Sequence, residues 1–301
     1  MMADLPPLYK YLDVRGARLT LGNRTFKHSK PSDFNDLEDL TIRSIFPESD
    51  EVALAVMNRG LVDILLRHLN DTPTIENAKL RASIAIMQRV FRENPGAVQI
   101  VKDGLRESSV FTLDHMRAKN TSFVDEINDF MQGYRILCVS TLNDSECMWE
   151  RYAQSNEGVA VRITPNGKED SKFQLFCKSQ YQEARPPLYE STDSFLEDSI
   201  FGDQQKTRLK MLDKIIYAKT RKWEYENEYR LAIPIHADGR DWNTLPYHSE
   251  EISELYLGYK MSDETKKEII GLRASAEPRI PCLVETGNCL SANDEGLADE
   301  I

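Results

Sequence analysis

Apolar residues change their period along the chain, and the changes mark out its elements. Residues 8–30 read as β structure: Leu8-Tyr9-Lys10-Tyr11 forms a short strand, and 18–28 predict a hairpin about Gly22-Asn23 between Leu19, Leu21 and Phe26, since Gly and Asn tolerate the positive φ of a tight turn. Pro31-Ser32-Asp33-Phe34-Asn35-Asp36 then breaks the strand with short polar side chains. From Ser49 to about Phe130 the spacing becomes helical. Ser49 can cap a helix whose Leu54, Met57, Leu61, Ile64 and Leu65 line one face. Thr72-Pro73 caps a second helix carrying Leu80, Ile84, Met87 and Phe91, and Asn94-Pro95 begins a third with Val98, Val101 and Leu105. Strand signals return at 134–141, 158–163, 173–182, 229–235 and 254–258, with helices over 146–154 and about 193–221. There is no internal repeat and no low-complexity linker. The pattern therefore predicts one α+β domain over residues 1–301, with a mixed or antiparallel β core, a helical block inserted at 49–131 and a frayed acidic tail at 291–301.

Charge narrows the partners. A net charge of -11 argues against affinity built on a broad phosphate-neutralising surface, and the basic run from Lys206 to Lys222 reads as a solvated helix face. The cysteines, Cys138, Cys147, Cys177, Cys282 and Cys289, are odd in number and form no C-x-x-C pair. The histidines, His28, His68, His115, His236 and His248, form no H-x-x-x-H, so neither a disulfide framework nor a metal site is expected. The N-terminus lacks a basic region followed by an apolar one, and no run approaches the ~20 apolar residues of a membrane span. The expectation is a cytoplasmic protein without membrane contact. G-x-S-x-G, G-x-x-x-x-G-K and G-x-G-x-x-G are all absent.

Chemistry concentrates at Trp223-Glu224-Tyr225-Glu226-Asn227-Glu228-Tyr229-Arg230-Leu231-Ala232-Ile233. Read as a strand, it sets Glu226, Glu228 and Arg230 on one face and Trp223, Tyr225, Tyr229, Leu231 and Ile233 on the other. Carboxylates about 6.5 to 7 Å apart beside a guanidinium suit gripping a hydroxyl with one acid while steadying positive charge with the other. Ser140, Thr141 and Asn143 end a strand with polar groups that either meet a ligand or cap the helix holding Cys147 to Tyr152. Trp149 and Tyr152 stand at i, i+3, a pair that stacks on a ligand ring or fills a core. Tyr9 and Tyr11 share a strand face, and Asn35-Asp36 either caps a turn or binds a ligand.

Taken in order, Tyr9-Lys10-Tyr11, Phe34-Asn35-Asp36, Ser140-Thr141 followed by Met148-Trp149-Glu150-Arg151-Tyr152-Ala153 and Gly158, Trp223 to Arg230, and Leu255-Tyr256-Leu257-Gly258 resemble a bacterial domain-of-unknown-function family. Its signature reads YKY, FND, S-x-S with MWxxYAxxxxG, WxxExExR and IYLG, and the match covers nearly the whole chain apart from the helical block. The same series resembles the ADP-ribosyltransferase fold: a first strand with a polar ligand, a Ser-Thr-Ser-like strand end and a Glu-x-Glu entering a later strand. That resemblance implies a split sheet, NAD as co-substrate and no metal. It implies Glu228 as the catalytic glutamate, holding a ribose hydroxyl, and Glu226 as the residue that orients the acceptor. Ser140 and Thr141 would support the nicotinamide side, with Trp149 or Tyr152 as an aromatic wall. Tyr9, Lys10, Tyr11, Asn35 and Arg230 complete the cofactor-binding set. Families of that fold carry an arginine or histidine on the first strand, whereas this chain offers Lys10, then Arg15 and Arg18, and lysine holds a phosphate as a point charge without the fork of arginine.

The function implied is an NAD-consuming glycosyltransferase of the ADP-ribosyltransferase type, a bacterial toxin or phage-defence effector modifying a nucleic acid or protein and restrained by an antitoxin or inhibitor protein. The alternatives are a non-catalytic nucleotide- or protein-binding module, in which Glu226 or Glu228 pairs with Arg230 or Lys222, and an RNA-cleaving toxin using Glu228, Arg230 and Lys222. The last lacks a nearby histidine other than His236 for general acid–base work.

Overall fold

The computed structural model describes residues 5–70, 75, 78–107, 112–165, 171–235, 242–274, 280 and 282–285. In chain order the elements are β1 (Leu8–Leu12), α1 (Val14–Asn23), β2 (Thr25–Lys27), α2 (Asp50–Arg67), α3 (Ala78–Glu93), α4 (Gly96–Glu107), α5 (Leu113–Met131), β3 (Tyr134–Ser140), α6 (Glu146–Tyr152), β4 (Val159–Ile163), β5 (Cys177–Lys178), β6 (Gln180–Gln182), α7 (Thr192–Phe201), α8 (Gln204–Tyr217), β7 (Ala218–Thr220), β8 (Glu228–Pro234), β9 (Thr244–Pro246), β10 (Ile252–Leu257), α9 (Asp263–Ala274) and β11 (Cys282–Glu285). They fall into two compact units. The first takes Met1–Asp33, Tyr134–Ser179 and Lys222–Ile301, and the second takes Phe34–Gly133 and Gln180–Arg221.

The first unit is built on a seven-stranded sheet in the order β11-β10-β4-β1-β3-β8-β5, antiparallel except where β10 meets β11. Strand alternation gives it two apolar faces. On one, Leu8, Leu137, Val139, Val159, Val161, Leu231, Leu255 and Leu257 pack with Ala17 and Leu21 of α1, Ile269 of α9, and Phe26, Phe173 and Phe176. On the other, Tyr9, Tyr11 and Ala160 pack with Met148, Trp149 and Ala153 from α6 and the residue after it. The fold is thus mixed α and β around a mostly antiparallel sheet.

The structure departs from the sequence pattern at four places. The strand expected over 173–182 starts as a 3-10 turn at Lys172–Leu175 and continues as two short strands, β5 and β6, that belong to different sheets. The hairpin expected about Gly22-Asn23 is the end of α1: the Asp13 carboxylate accepts from the Gly16 N–H and opens the helix. The buried residues Ala17, Thr20 and Leu21 recur at helical spacing, and Arg24, with φ 53, closes it. Leu19, assigned to the hairpin, is exposed. The strand expected from Trp223 begins only at Glu228, because Arg221–Glu226 winds as a 3-10 turn and Asn227 has φ 42. The single helix expected over 193–221 is two, α7 and α8, separated at Gly202 and restarted by Asp203, whose carboxylate accepts from the Gln205 and Lys206 N–H groups.

In the second unit Ser49 caps α2, accepting from Val52 N–H, and Val62, Leu65, Ile75, Ile84 and Phe91 form the core. Residues 180–221 join the helical block through α7, α8 and the parallel pair β6–β7. The buried Arg185 guanidinium ties the segments by donating to the carbonyls of Thr41 (2.8 Å), Ile215 (3.0 Å) and Ala218. The cap at Thr72-Pro73 and the tail at 291–301 lie outside the described residues. No helix among the described residues is long and apolar enough to cross a membrane.

The glycines ending two of the ordered stretches meet in the first unit, where Gly258 N–H donates to the Gly158 carbonyl at 2.9 Å. A Cβ on Gly158 would lie 2.1 Å from the Leu12 carbonyl oxygen, and one on Gly258 would lie 2.2 Å from that of Asn156. Both obstacles are backbone and neither can yield cheaply. Gly158→Ala is therefore expected to destabilise by about 1–3 kcal/mol, the usual cost of forcing a methyl group into packed structure. A thermal melt matching the parent protein would refute it.

Candidate functional site

Glu254, Arg162, Tyr9, Ser140 and Glu228 stand opposite one another in an unbroken row across β10, β4, β1, β3 and β8. Directly opposed residues of an antiparallel pair project to the same face, so five distant stretches contribute to one surface. At about 4.8 Å per strand, Glu228 lies roughly 10 Å from Tyr9 and 14 Å from Arg162, measured between backbones. The next row on this face holds Tyr256, Ala160 and Tyr11.

The ladder opens within the row. β1 and β3 share one paired position, Tyr9 opposite Ser140, whereas β1 and β4 share five and β3 and β8 share seven. Where β1 departs, other donors take its place along β3: Ser29 N–H donates to the Ile136 carbonyl at 2.8 Å and the Lys10 ammonium to that of Cys138 at 2.9 Å. Burial draws the Lys10 pKa below its ordinary value, opposed by Cys138, Glu228 and Glu226 nearby. Lys10 thus satisfies a carbonyl that the opened ladder would leave without its strand partner.

Ser140 is wholly buried, and its hydroxyl donates to the Glu226 carbonyl at 2.7 Å while accepting from Leu142 N–H at 3.0 Å. Thr141 N–H donates to the Asn227 carbonyl at 3.2 Å. The Tyr11 hydroxyl holds the Leu142 carbonyl and the Trp149 indole N–H that of Asn143, each at 2.8 Å. The end of β3 is therefore laced to the corner at 226–227. The cap of α6 is Ser145, which accepts from Met148 N–H, rather than Ser140, Thr141 or Asn143.

That corner presents the two carboxylates. Glu228 accepts from the Ser179 hydroxyl at 3.0 Å and from Arg230 Nε at 2.8 Å, and the residues are 3% and 0% exposed for Glu228 and Arg230. Glu226, also buried, accepts from the Tyr152 hydroxyl at 2.5 Å. Burial and the charge of Glu226 push the Tyr152 pKa well above the ordinary phenol value, so Tyr152 stays a donor. Aromatic rings wall the face. Tyr11 meets Trp149 edge-on at 5.3 Å, Tyr9 meets Tyr256 at 5.8 Å, and the Arg151 guanidinium lies 5.7 Å from the Trp223 ring and 5.4 Å from that of Tyr225. At the far end of the row Arg162 pairs with Glu254, whose carboxylate also accepts from the Tyr256 hydroxyl.

The first unit therefore gathers Tyr9, Tyr11, Ser140, Thr141, Trp149, Tyr152, Glu226, Glu228 and Arg230, with Lys10 at the opening of the ladder. Asn35 belongs to the second unit, where it is exposed in the turn after Phe34. Arg18 lies on α1, against the other face, and pairs with Glu268 of α9 at 2.7 Å. Arg162 and Glu254 were not among the residues expected from the sequence. A single charge inside the apolar run Val159-Ala160-Val161-Arg162-Ile163 is the signal that marks Arg162. Among the described residues no group of three or more His, Cys, Asp or Glu side chains is placed to hold a metal.

Residues 148–231 carry a domain of the DUF2971 family, described as protein of unknown function. The match runs from α6 into β8, so it contains Trp149, Tyr152, Glu226, Glu228 and Arg230, while Tyr9, Ser140 and the glycine at 258 lie outside it. No curated protein and no solved structure matches the chain.

Proposed function

We propose that the first unit is an NAD-consuming enzyme of the ADP-ribosyltransferase type, with Glu228 as its catalytic carboxylate. The observation that carries this reading is the row itself, which puts Tyr9, Ser140 and Glu228 on one face, at the point where β1 and β3 part. A sheet that opens there supports the split-sheet resemblance. The reaction class is cleavage of the bond between nicotinamide and ribose: the bonding electrons leave with nicotinamide, positive charge builds on the ribose, and an acceptor X–H adds to give ADP-ribosyl-X and a proton. A buried, fixed carboxylate stabilises that charge without reorganisation. Arg230 and Ser179 hold Glu228 in place, and Ser140 holds the backbone before it. Glu226, oriented by Tyr152, receives the acceptor proton. The proposed setting is a bacterial toxin or phage-defence effector in the cytoplasm, with a nucleic acid or protein acceptor and an antitoxin or inhibitor as partner.

The second reading is a nucleotide-binding module without chemistry. It is favoured by the buried Glu228–Arg230 pair at 2.8 Å, which occupies the carboxylate within the protein. Incubation of the protein with nicotinamide-labelled and adenylate-labelled NAD in lysate separates the two. The enzyme releases free nicotinamide and transfers the adenylate label to an acceptor or to water. Tight nucleotide binding with no release above a protein-free control would establish the module instead.

A further inference from the structure

We infer that Arg162 of β4 is the phosphate-holding residue of the nucleotide site, a role no residue of the first strand fills. The inference rests on reading the row as a nucleotide site. The cations around the row have distinct fates. The Lys10 ammonium is committed to the Cys138 carbonyl at 2.9 Å, and the Arg230 guanidinium is fully buried against Glu228. Arg18 is paired with Glu268 behind the sheet. Arg162 is different: it stands beside Tyr9 in the row, and its side chain is 34% exposed.

Its surroundings suit an anion. One terminal nitrogen is fixed by Glu254, while the buried Nε–H has no acceptor among the described residues. A guanidinium steadied on one edge by Glu254 and 34% exposed as a side chain keeps donor capacity for a phosphate oxygen, and a small shift of the side chain would bring the unsatisfied Nε–H to the same anion. The negative charge of Glu254 is matched by Arg162 and by the Tyr256 hydroxyl, so it does not stand bare beside an incoming anion. Tyr9 and Tyr256, edge to face at 5.8 Å, flank the guanidinium and lower the local dielectric. Position fits as well: Arg162 lies about 14 Å from Glu228 along the row, before counting the reach of either side chain. A phosphate held there leaves about three strand spacings for the rest of the nucleotide to span to Glu228.

The test is titration calorimetry on the full chain with two probes: ADP-ribose, which carries a diphosphate, and nicotinamide riboside, which carries none. Arg162→Met is expected to weaken ADP-ribose at least about tenfold, the ratio a lost charge-assisted hydrogen bond gives, and to leave nicotinamide riboside within about twofold. Arg162→Lys keeps the charge without the fork, so its loss for ADP-ribose is smaller but in the same direction. If the methionine variant fails to fold, as judged by its melt, the lysine variant carries the test. ADP-ribose affinity unchanged in the variants, or absent from the parent protein at millimolar concentration, overturns the inference. Nicotinamide release is scored separately. A parent that binds ADP-ribose through Arg162 but releases no nicotinamide overturns the catalytic reading alone; a parent that releases nicotinamide while the variants bind normally overturns the Arg162 assignment alone.

Discussion

Glu228→Gln is expected to lower nicotinamide release from NAD on the order of a hundredfold to a thousandfold, the range seen when a preorganised electrostatic stabiliser is lost. The amide keeps the shape of the side chain and can still accept from the Ser179 hydroxyl, which lies 3.0 Å from the carboxylate. It removes the negative charge that would face the developing positive ribose. It also removes the negative charge paired with Arg230, so some loss of stability accompanies the loss of rate. Rates are therefore to be compared well below the melting temperature of each protein. Release within about twofold of the parent, from a variant shown to be folded, would remove Glu228 from the chemistry, since a neutral amide supplies no comparable stabilisation.

Arg230→Met carries the largest expected change in stability, about 3–5 kcal/mol, because it removes the cation paired with a carboxylate that has been taken out of water. The guanidinium and the Glu228 carboxylate, 2.8 Å apart, are 0% and 4% exposed as side chains, so water cannot take over either charge. The expected signature is a large fall in the midpoint of chemical denaturation with little change in slope. Replacing both partners with apolar groups, as in Glu228→Leu with Arg230→Met, should recover much of the loss, since the pair's desolvation cost offsets much of its attraction. If the single substitution cost under about 1 kcal/mol, the value of an exposed ion pair, the pair would be accessible to water and the buried character of the site would be wrong.

These two residues show how far local pattern reaches. Glu228 and Arg230 lie next but one in a strand, and β alternation alone predicts that they share a face, as they do. Glu226 was assigned to that face by the same rule, and the rule fails there. The chain turns through a 3-10 segment and Asn227 takes a positive φ, so Glu226 comes to Tyr152 by another path. The hairpin reading of 18–28 fails for a related reason. Gly22-Asn23 is a genuine turn signal, but Asp13 caps a helix upstream of it, and the sheet offers an apolar face that rewards burying Ala17, Thr20 and Leu21 together.

What the sequence determined by itself are features set within a few residues. They include the cap at Ser49, the apolar strands now seen as β3, β4, β8 and β10, and the concentration of charge before Leu231. The tertiary structure alone decided the strand order and register, which place Arg162 beside Tyr9, Tyr9 beside Ser140 and Ser140 beside Glu228. It also decided that the Lys10 ammonium serves a backbone carbonyl and the Ser140 hydroxyl a backbone corner. The physical reason is that caps and periodicity act over one or two turns of chain, whereas pairing between strands is selected by the burial of whole faces against one another.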